Sequence, residues 1–158
     1  MSCPKRPSSA ALRSANNKGR NILDSFRKPV VASQFSPAAV TLVLAMRLAA
    51  QSLARGADPL VDLATRLGSF TAARAVMDFA RGCSLAWPEK AMVARPCCHA
   101  LTPDETAFAQ MAEAARHADR TAFTAVLDGL IRRERHERLF AVTQCAVAEI
   151  SANQAKST

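Results

Sequence analysis

The fold of this chain is most constrained by three dipeptides in which a helix-capping residue precedes proline. They are Ser36-Pro37, Asp58-Pro59 and Thr102-Pro103. Ser, Asp and Thr are favoured helix N-caps, and proline suits the first helical position because an N–H there has no helical acceptor. Each dipeptide precedes a run in which apolar side chains recur every three or four residues, the period of an α-helix. The sequence therefore predicts a helix start at each of the three sites.

Further helical runs lead to an all-α prediction. Gly56 and Gly68 are expected to end the first two helices, and a third helix is expected from Ser69 or Thr71 to Gly82. Two more apolar runs follow the Thr102 helix, over residues 123–131 and 139–150. Because the 158 residues include only 5 Gly and no Tyr, the composition favours helices over sheets. We predict one compact, bundle-like domain of about six helices.

The predicted organisation has an irregular segment in the middle of the helical domain. Pro88 and Pro96 rule out a continuous helix there, and long irregular segments in compact domains are often functional. We expect a basic tail that is disordered or partly docked (1–35), a helical domain (36–150) and a frayed end (151–158). The helical domain is expected to consist of a first half (36–82), an irregular segment (83–101) and a second half (102–150).

The first helix is predicted to be central and to have a wide apolar arc. At 100° per residue, Arg47 falls with Gln51 and Arg55 on the opposite, polar face. The apolar stretch of residues 38–50 contains Arg47 and is shorter than the ~20 residues that cross a bilayer. We expect no membrane span.

The positive charge is concentrated in the tail. Residues 1–35 carry seven basic side chains against Asp24 alone, so they supply +6 of the net charge of +8. Such a tail could bind an acidic protein or the phosphates of a nucleic acid, although no aromatic side chains interleave to stack on bases. Organelle presequences are likewise rich in arginine and serine and poor in acidic residues, but the prolines near the N-terminus disfavour a presequence here. The seven basic residues are Lys5, Arg6, Arg13, Lys18, Arg20, Arg27 and Lys28.

Cys97, Cys98 and His99 are the candidate chemical site. Thiolates and imidazole are zinc ligands, and a further ligand would have to come from Cys83 or Cys145. Against a zinc site, structural ligands are usually spaced C-x₂₋₄-C, and adjacent cysteines rarely share one metal. We therefore expect Cys97 and Cys98 to pack as small apolar groups beside the Thr102 helix, with a zinc site or a thiol-redox site as the alternatives. The five cysteines show no disulfide spacing, which favours a reduced cytoplasmic compartment.

The remaining polar groups are expected to have structural roles. Asp104 and Glu105 fall in the first turn of the Thr102 helix, where Glu105 completes a capping box. His117 and His136 are expected to be solvated, as is the charged run RRERHER at 132–138. No phosphate-binding loop, dinucleotide fingerprint or metalloprotease motif is present. We predict no catalytic residues.

One stretch of the sequence consists of Pro96-Cys97-Cys98 followed by Leu101-Thr102 and Asp104-Glu105. In this stretch the chain resembles a group of small alphaproteobacterial helical proteins that share a domain of unknown function. Members have a helical first half, a PCC string, and LT-x-DE opening a helical second half. They often carry a further cysteine where this chain has His99, so the resemblance implies no shared ligand set. It implies a bacterial cytosolic protein and no particular activity.

These observations favour a non-enzymatic interaction or regulatory protein. It would bind another macromolecule, with a protein as the expected partner, through a helical face. The alternatives are a metal-binding or thiol-redox protein centred on Cys97, Cys98 and His99, and a nucleic-acid-associated protein that acts through its basic tail.

Overall fold

Six α-helices make up most of residues 29–156, the part of the chain that the computed structural model describes. Two short 3₁₀ helices, Ala32–Gln34 and Arg133–Arg135, precede α1 and α6. The α-helices are α1 (Pro37–Ala54), α2 (Pro59–Leu67), α3 (Phe70–Ala86), α4 (Pro103–Arg116), α5 (Arg120–Leu127) and α6 (His136–Lys156). The fold is all-α, as predicted from the composition and the apolar periodicity.

The three predicted helix starts are confirmed. The side chains of Ser36, Asp58 and Thr102 each accept a hydrogen bond from a backbone N–H in the first turn of the helix that follows. Ser69, rather than Thr71, caps α3 in the same way. Each cap satisfies a donor that the helix itself leaves without a partner.

The core forms where the two halves of the chain meet. α1 packs against α2, α3, α4 and α6, and α6 packs against α3, α4 and α5 as well. Phe108 of α4 lies at the centre, with ring centroids 5.7 Å from Phe79 of α3 and 5.0 Å from Trp87. All three side chains are buried, so the aromatic cluster joins the first and second helical halves.

Two predicted boundaries are wrong. α3 does not end at Gly82 but continues to Ala86, because Gly82 lies inside the helix where α3 approaches Val142 of α6 closely. The predicted frayed end is helical through Lys156. There the amides of Asn153 and Gln154 donate to Leu67 O and to Thr41 Oγ1, at 2.5 and 2.9 Å, so the last turns of α6 are tied to α2 and α1.

Residues 29–35 of the predicted tail dock on the domain. The Leu101 N–H donates to Val30 O at 2.9 Å, and Val31 forms an isolated antiparallel bridge with Ala100. At the end of this stretch, the Ser36 N–H donates to Glu113 Oε1 at 2.5 Å. The rest of the predicted tail, residues 1–28, lies outside the described part of the chain, as do residues 157–158.

Candidate functional site

Residues 87–102, here called the central segment, run between α3 and α4 and are fastened by the first turn of α4. The Thr102 hydroxyl donates to Met92 O at 2.6 Å, and Asp104 accepts from Met92 N at 2.6 Å. Asp104 also accepts from the indole N–H of Trp87 at 3.1 Å. The capping turn therefore fixes the path of the central segment as well as starting α4.

A buried ion pair between Arg47 of α1 and Glu105 of α4 lies beneath the central segment. Arg47 Nε donates to Glu105 Oε1 at 2.7 Å, and Nη2 donates to Oε2 at 2.8 Å, which is the two-pronged geometry of a strong arginine–carboxylate pair. The two residues are 2% and 0% exposed. Such a pair holds its geometry tightly, because separating it would leave a charge buried without a partner.

Glu105 also accepts hydrogen bonds from the backbone. The Thr102 N–H completes the predicted capping box at 2.9 Å, and the Ala94 N–H of the central segment donates at the same distance. Burial alone would raise the pKa of Glu105, but the hydrogen bonds from Arg47, Thr102 and Ala94 outweigh it and hold the pKa below its usual value. The carboxyl group is therefore an ionised anchor.

Arg47 uses its remaining N–H groups to hold the backbone of the central segment. It donates to Cys98 O at 2.5 Å, to Ala100 O at 3.0 Å and to Arg95 O at 3.4 Å. The sequence placed Arg47 on the polar face of α1, and at Arg47 this face is buried because the central segment covers it. A signal was present in the sequence, since Arg47 is the single charged residue in the 18 residues of α1.

The three residues of the predicted chemical site lie on the outer side of the central segment. Cys97, Cys98 and His99 are exposed, so the expectation that the two cysteines pack as small apolar groups is wrong. Both cysteines are exposed although the neighbouring backbone carbonyls are held by Arg47, and Cys97 also lines the second groove, beside Arg47. Within residues 87–102, the thiols of Cys97 and Cys98 are exposed nucleophiles.

The proposed further ligands are not assembled with this site. Cys83 is buried in α3, where burial raises the pKa of its thiol, and Cys145 is exposed on α6. Among residues 29–156, no group of three or more His, Cys, Asp or Glu side chains is placed to hold a metal ion. The zinc alternative therefore remains a prediction from the sequence, with its expected ligands Cys97, Cys98 and His99.

The predictions for the other polar groups had mixed outcomes. His117 is exposed at the end of α4, as expected. His136 is not solvated but buried, with Nε2 2.9 Å from Ile131 O. Most of the run 132–138 is exposed, yet Arg135 donates to the carbonyls of Leu85 and Ala86 and so caps the C-terminal end of α3.

Three adjoining grooves surround the part of α1 that is not packed against other helices. The first lies between α1 and α2, the second lies where the central segment crosses α1, and the third lies between α1 and α3. Gln51 and Pro96 line both the first and the second groove, and Ala50 and Val93 line both the second and the third. Together they form one surface, here called the α1 groove.

Apolar side chains line much of the α1 groove. Leu44 lines the first groove and is 46% exposed, whereas Leu53 lines the third groove on the opposite side of α1 and is 62% exposed. The first groove is also lined by Leu48, Leu63 and Leu67. Sequence reasoning missed this surface, because the wide apolar arc of α1 was assigned entirely to the core.

By length and composition alone, α1 could cross a membrane, with a mean hydropathy of 1.4 over 18 residues. Half of this stretch is buried inside the protein, and the core helix of a water-exposed domain satisfies the same criteria. The expected absence of a membrane span therefore remains a prediction.

No protein-family model, curated protein or solved structure matches the chain.

Proposed function

We propose that this is a non-enzymatic interaction protein that binds an acidic amphipathic helix of a partner protein in the α1 groove. The observation that carries the proposal is the apolar first groove between α1 and α2, which is lined by Leu44, Leu48, Leu63 and Leu67 and in which Leu44 is 46% exposed. A contiguous apolar surface with a polar rim is typical of sites that bind another protein.

The dimensions of the α1 groove fit a short helix. Leu44 and Leu48 of α1, and Leu63 and Leu67 of α2, line the first groove, and each pair is about one helical turn apart. A partner helix of two to three turns presents apolar side chains at positions i, i+3 or i+4, and i+7, which repeat at the same spacing. The apolar lining between α1 and α2 would accommodate those side chains.

The charge at the rim of the α1 groove favours an acidic partner. Arg66 of α2 and Arg95 of the central segment line the groove and are exposed. Neither forms a side-chain ion pair within the described part of the chain. Lys90 and Glu89, at the rim of the third groove, offset each other. Carboxylates on the flanks of a bound helix would therefore face two guanidinium groups.

Among residues 29–156, neither alternative function has a comparable surface. The basic residues of the nucleic-acid alternative, Lys5 to Lys28, lie outside the described residues. The thiol alternative has Cys97 and Cys98 exposed but no assembled ligand set among residues 29–156.

Site-specific photocrosslinking tests the proposal. A benzophenone side chain at position 44 should crosslink to one partner protein in cells that make this protein, through a peptide with an acidic amphipathic pattern. The same group at position 130, an exposed leucine outside the α1 groove, is the matched control. Arg66→Glu should lower the yield at position 44 several-fold, because it reverses the charge that faces the partner.

Three results would contradict this function. They are equal yields at positions 44 and 130, a crosslinked peptide without acidic residues, and an adduct with a second copy of this chain. Circular dichroism of each variant would show that the helical fold is retained.

A further inference from the structure

Two free cysteines that are adjacent in the chain are exposed on the central segment. Cys97 and Cys98 are both exposed, whereas Cys83 is buried and Cys145 stands apart on α6. Within residues 29–156, this is the one place where two cysteines are adjacent in the chain. The pair is therefore a dithiol that is accessible to solutes, and Cys97 also lines the second groove.

The backbone that carries the two thiols is held in place. The Cys98 N–H donates to Arg95 O at 3.0 Å and closes a turn. Arg47 then holds the carbonyls of Arg95, Cys98 and Ala100 from below. A ligand of the two sulfurs would not have to order this backbone, so little of the binding free energy would be lost to ordering.

Adjacent cysteines are poorly suited to form a disulfide with each other. Consecutive Cα atoms lie about 3.8 Å apart, whereas most disulfides span about 4.4–6.8 Å between Cα atoms. The resulting bond is strained and easily reduced. In a reducing compartment the two side chains therefore remain thiols.

The number of donors selects the kind of ligand. Thiolates bind soft acceptors, but a structural zinc ion takes four ligands. Among the described residues, no group of three or more potential metal ligands includes this pair. An acceptor that is satisfied by two sulfurs fits better. A trivalent arsenic atom with one organic substituent has two exchangeable positions.

We propose that Cys97 and Cys98 form a binding site for thiophilic trivalent metalloids, namely arsenicals and antimonials. Two As–S bonds form and two As–O bonds break. Each thiol proton leaves with a hydroxyl group of the hydrated acceptor as water. The metalloid stays trivalent, so no oxidant or reductant is required.

Phenylarsine oxide is the probe for this site. The variant Cys3→Ser/Cys83→Ala/Cys145→Ser keeps only the two adjacent thiols, and it should bind one phenylarsenic group per chain by intact-mass spectrometry. Cys97→Ser or Cys98→Ser in that background should weaken binding about 100-fold, because the second sulfur no longer binds intramolecularly. The adduct should survive excess 2-mercaptoethanol and be removed by 2,3-dimercaptopropanol.

His99→Ala separates the two-sulfur site from a three-donor site. It should bind phenylarsine oxide as tightly as its parent, since the imidazole is not a ligand in this proposal. Loss of binding in His99→Ala, equal binding in either single-cysteine variant, or release of the adduct by 2-mercaptoethanol would overturn the proposal. Because both cysteines are exposed, the melting temperatures of the serine variants should match the parent, so a loss of binding would not reflect unfolding.

Discussion

Arg47 joins three parts of the molecule, namely α1, the first turn of α4 and the backbone of the central segment. We expect Arg47→Met to lower the free energy of unfolding by about 3–5 kcal/mol, because the Glu105 carboxylate would stay buried without its partner. Urea denaturation of the purified variant measures this change. Arg66→Met, which removes an exposed guanidinium group, is the control and should change the free energy by less than about 0.5 kcal/mol.

A double-mutant cycle tests whether Arg47 and Glu105 act together. Glu105→Gln alone should also be strongly destabilising, because it leaves the Arg47 charge buried. The double variant Arg47→Met/Glu105→Gln should cost at least about 1 kcal/mol less than the sum of the single changes. Costs that simply add would show that the two side chains stabilise the fold independently.

The ion pair also predicts how stability depends on pH. The pKa of Glu105 is lowered in the folded protein, against an unfolded value of about 4.3. Its contribution is therefore complete above that unfolded value and is lost as the pH falls through the folded pKa. Between neutral pH and acid, Glu105→Gln should lose less stability than the parent in parallel urea titrations. If the free energy of unfolding depends on pH in the same way in the two proteins, the pKa of Glu105 is not lowered.

The role of Arg47 could not be read from helical periodicity. Periodicity placed it correctly beside Gln51 and Arg55, on the side of α1 away from the core. It could not show that a segment about fifty residues further along covers that side. The same limit applies to Cys97 and Cys98, whose exposure depends on the path that the central segment takes across α1.

At the scale of elements, the start of α4 determines the path of the central segment. Thr102→Ala should cost about 0.5–2 kcal/mol for the lost cap, and it also removes the hydroxyl that donates to Met92 O. Thr102→Ser keeps both hydrogen bonds and should remain near the parent in thermal denaturation. If the Ser and Ala variants lose equal stability, the hydroxyl is not what stabilises this helix start.

The close approach of α3 and α6 depends on Gly82. A Cβ atom there would lie 3.2 Å from Val142 Cγ2 and 3.5 Å from Leu139 Cδ2. Gly82→Leu should therefore destabilise the fold by about 1–3 kcal/mol through overpacking, measured by urea denaturation. In a Val142→Ala background, Gly82→Leu should lower the free energy of unfolding by less, because the nearest methyl group is absent. An unchanged cost in that background would mean that the two helices can separate freely.

Helix starts were predictable and helix ends were less so, for a physical reason. The caps at Ser36, Asp58 and Thr102 are local, since each side chain bonds a backbone N–H within three residues. The end of α3 is not local. Gly82 resembles a stop signal in the sequence, but contact with α6 keeps it inside the helix, which continues until Pro88 approaches.

At the scale of the whole molecule, the composition and periodicity predicted an all-α domain with two helical halves, and the structure has this architecture. The way the halves pack was not predictable, because it depends on pairs distant in the chain, such as Arg47 with Glu105. The α1 groove was missed for the same reason. Its walls come from α1, α2, α3 and the central segment, and no single helical pattern shows them together.

The end of α6 closes the fold, although its polar sequence suggested fraying. Asn153 and Gln154 lie 86 and 113 residues from their acceptors in Leu67 and Thr41, so these bonds tie the C-terminus to the first helical half. A chain that ends at Ile150 should lose about 1–3 kcal/mol of stability, at about 0.5–1.5 kcal/mol for each of the two hydrogen bonds. Urea denaturation measures this loss, and Asn153→Ala/Gln154→Ala in the full-length chain should reproduce most of it. Lys156→Ala, at the exposed last turn, should have no effect. If the shortened chain unfolds at the same urea concentration as the parent, these turns add nothing to the fold.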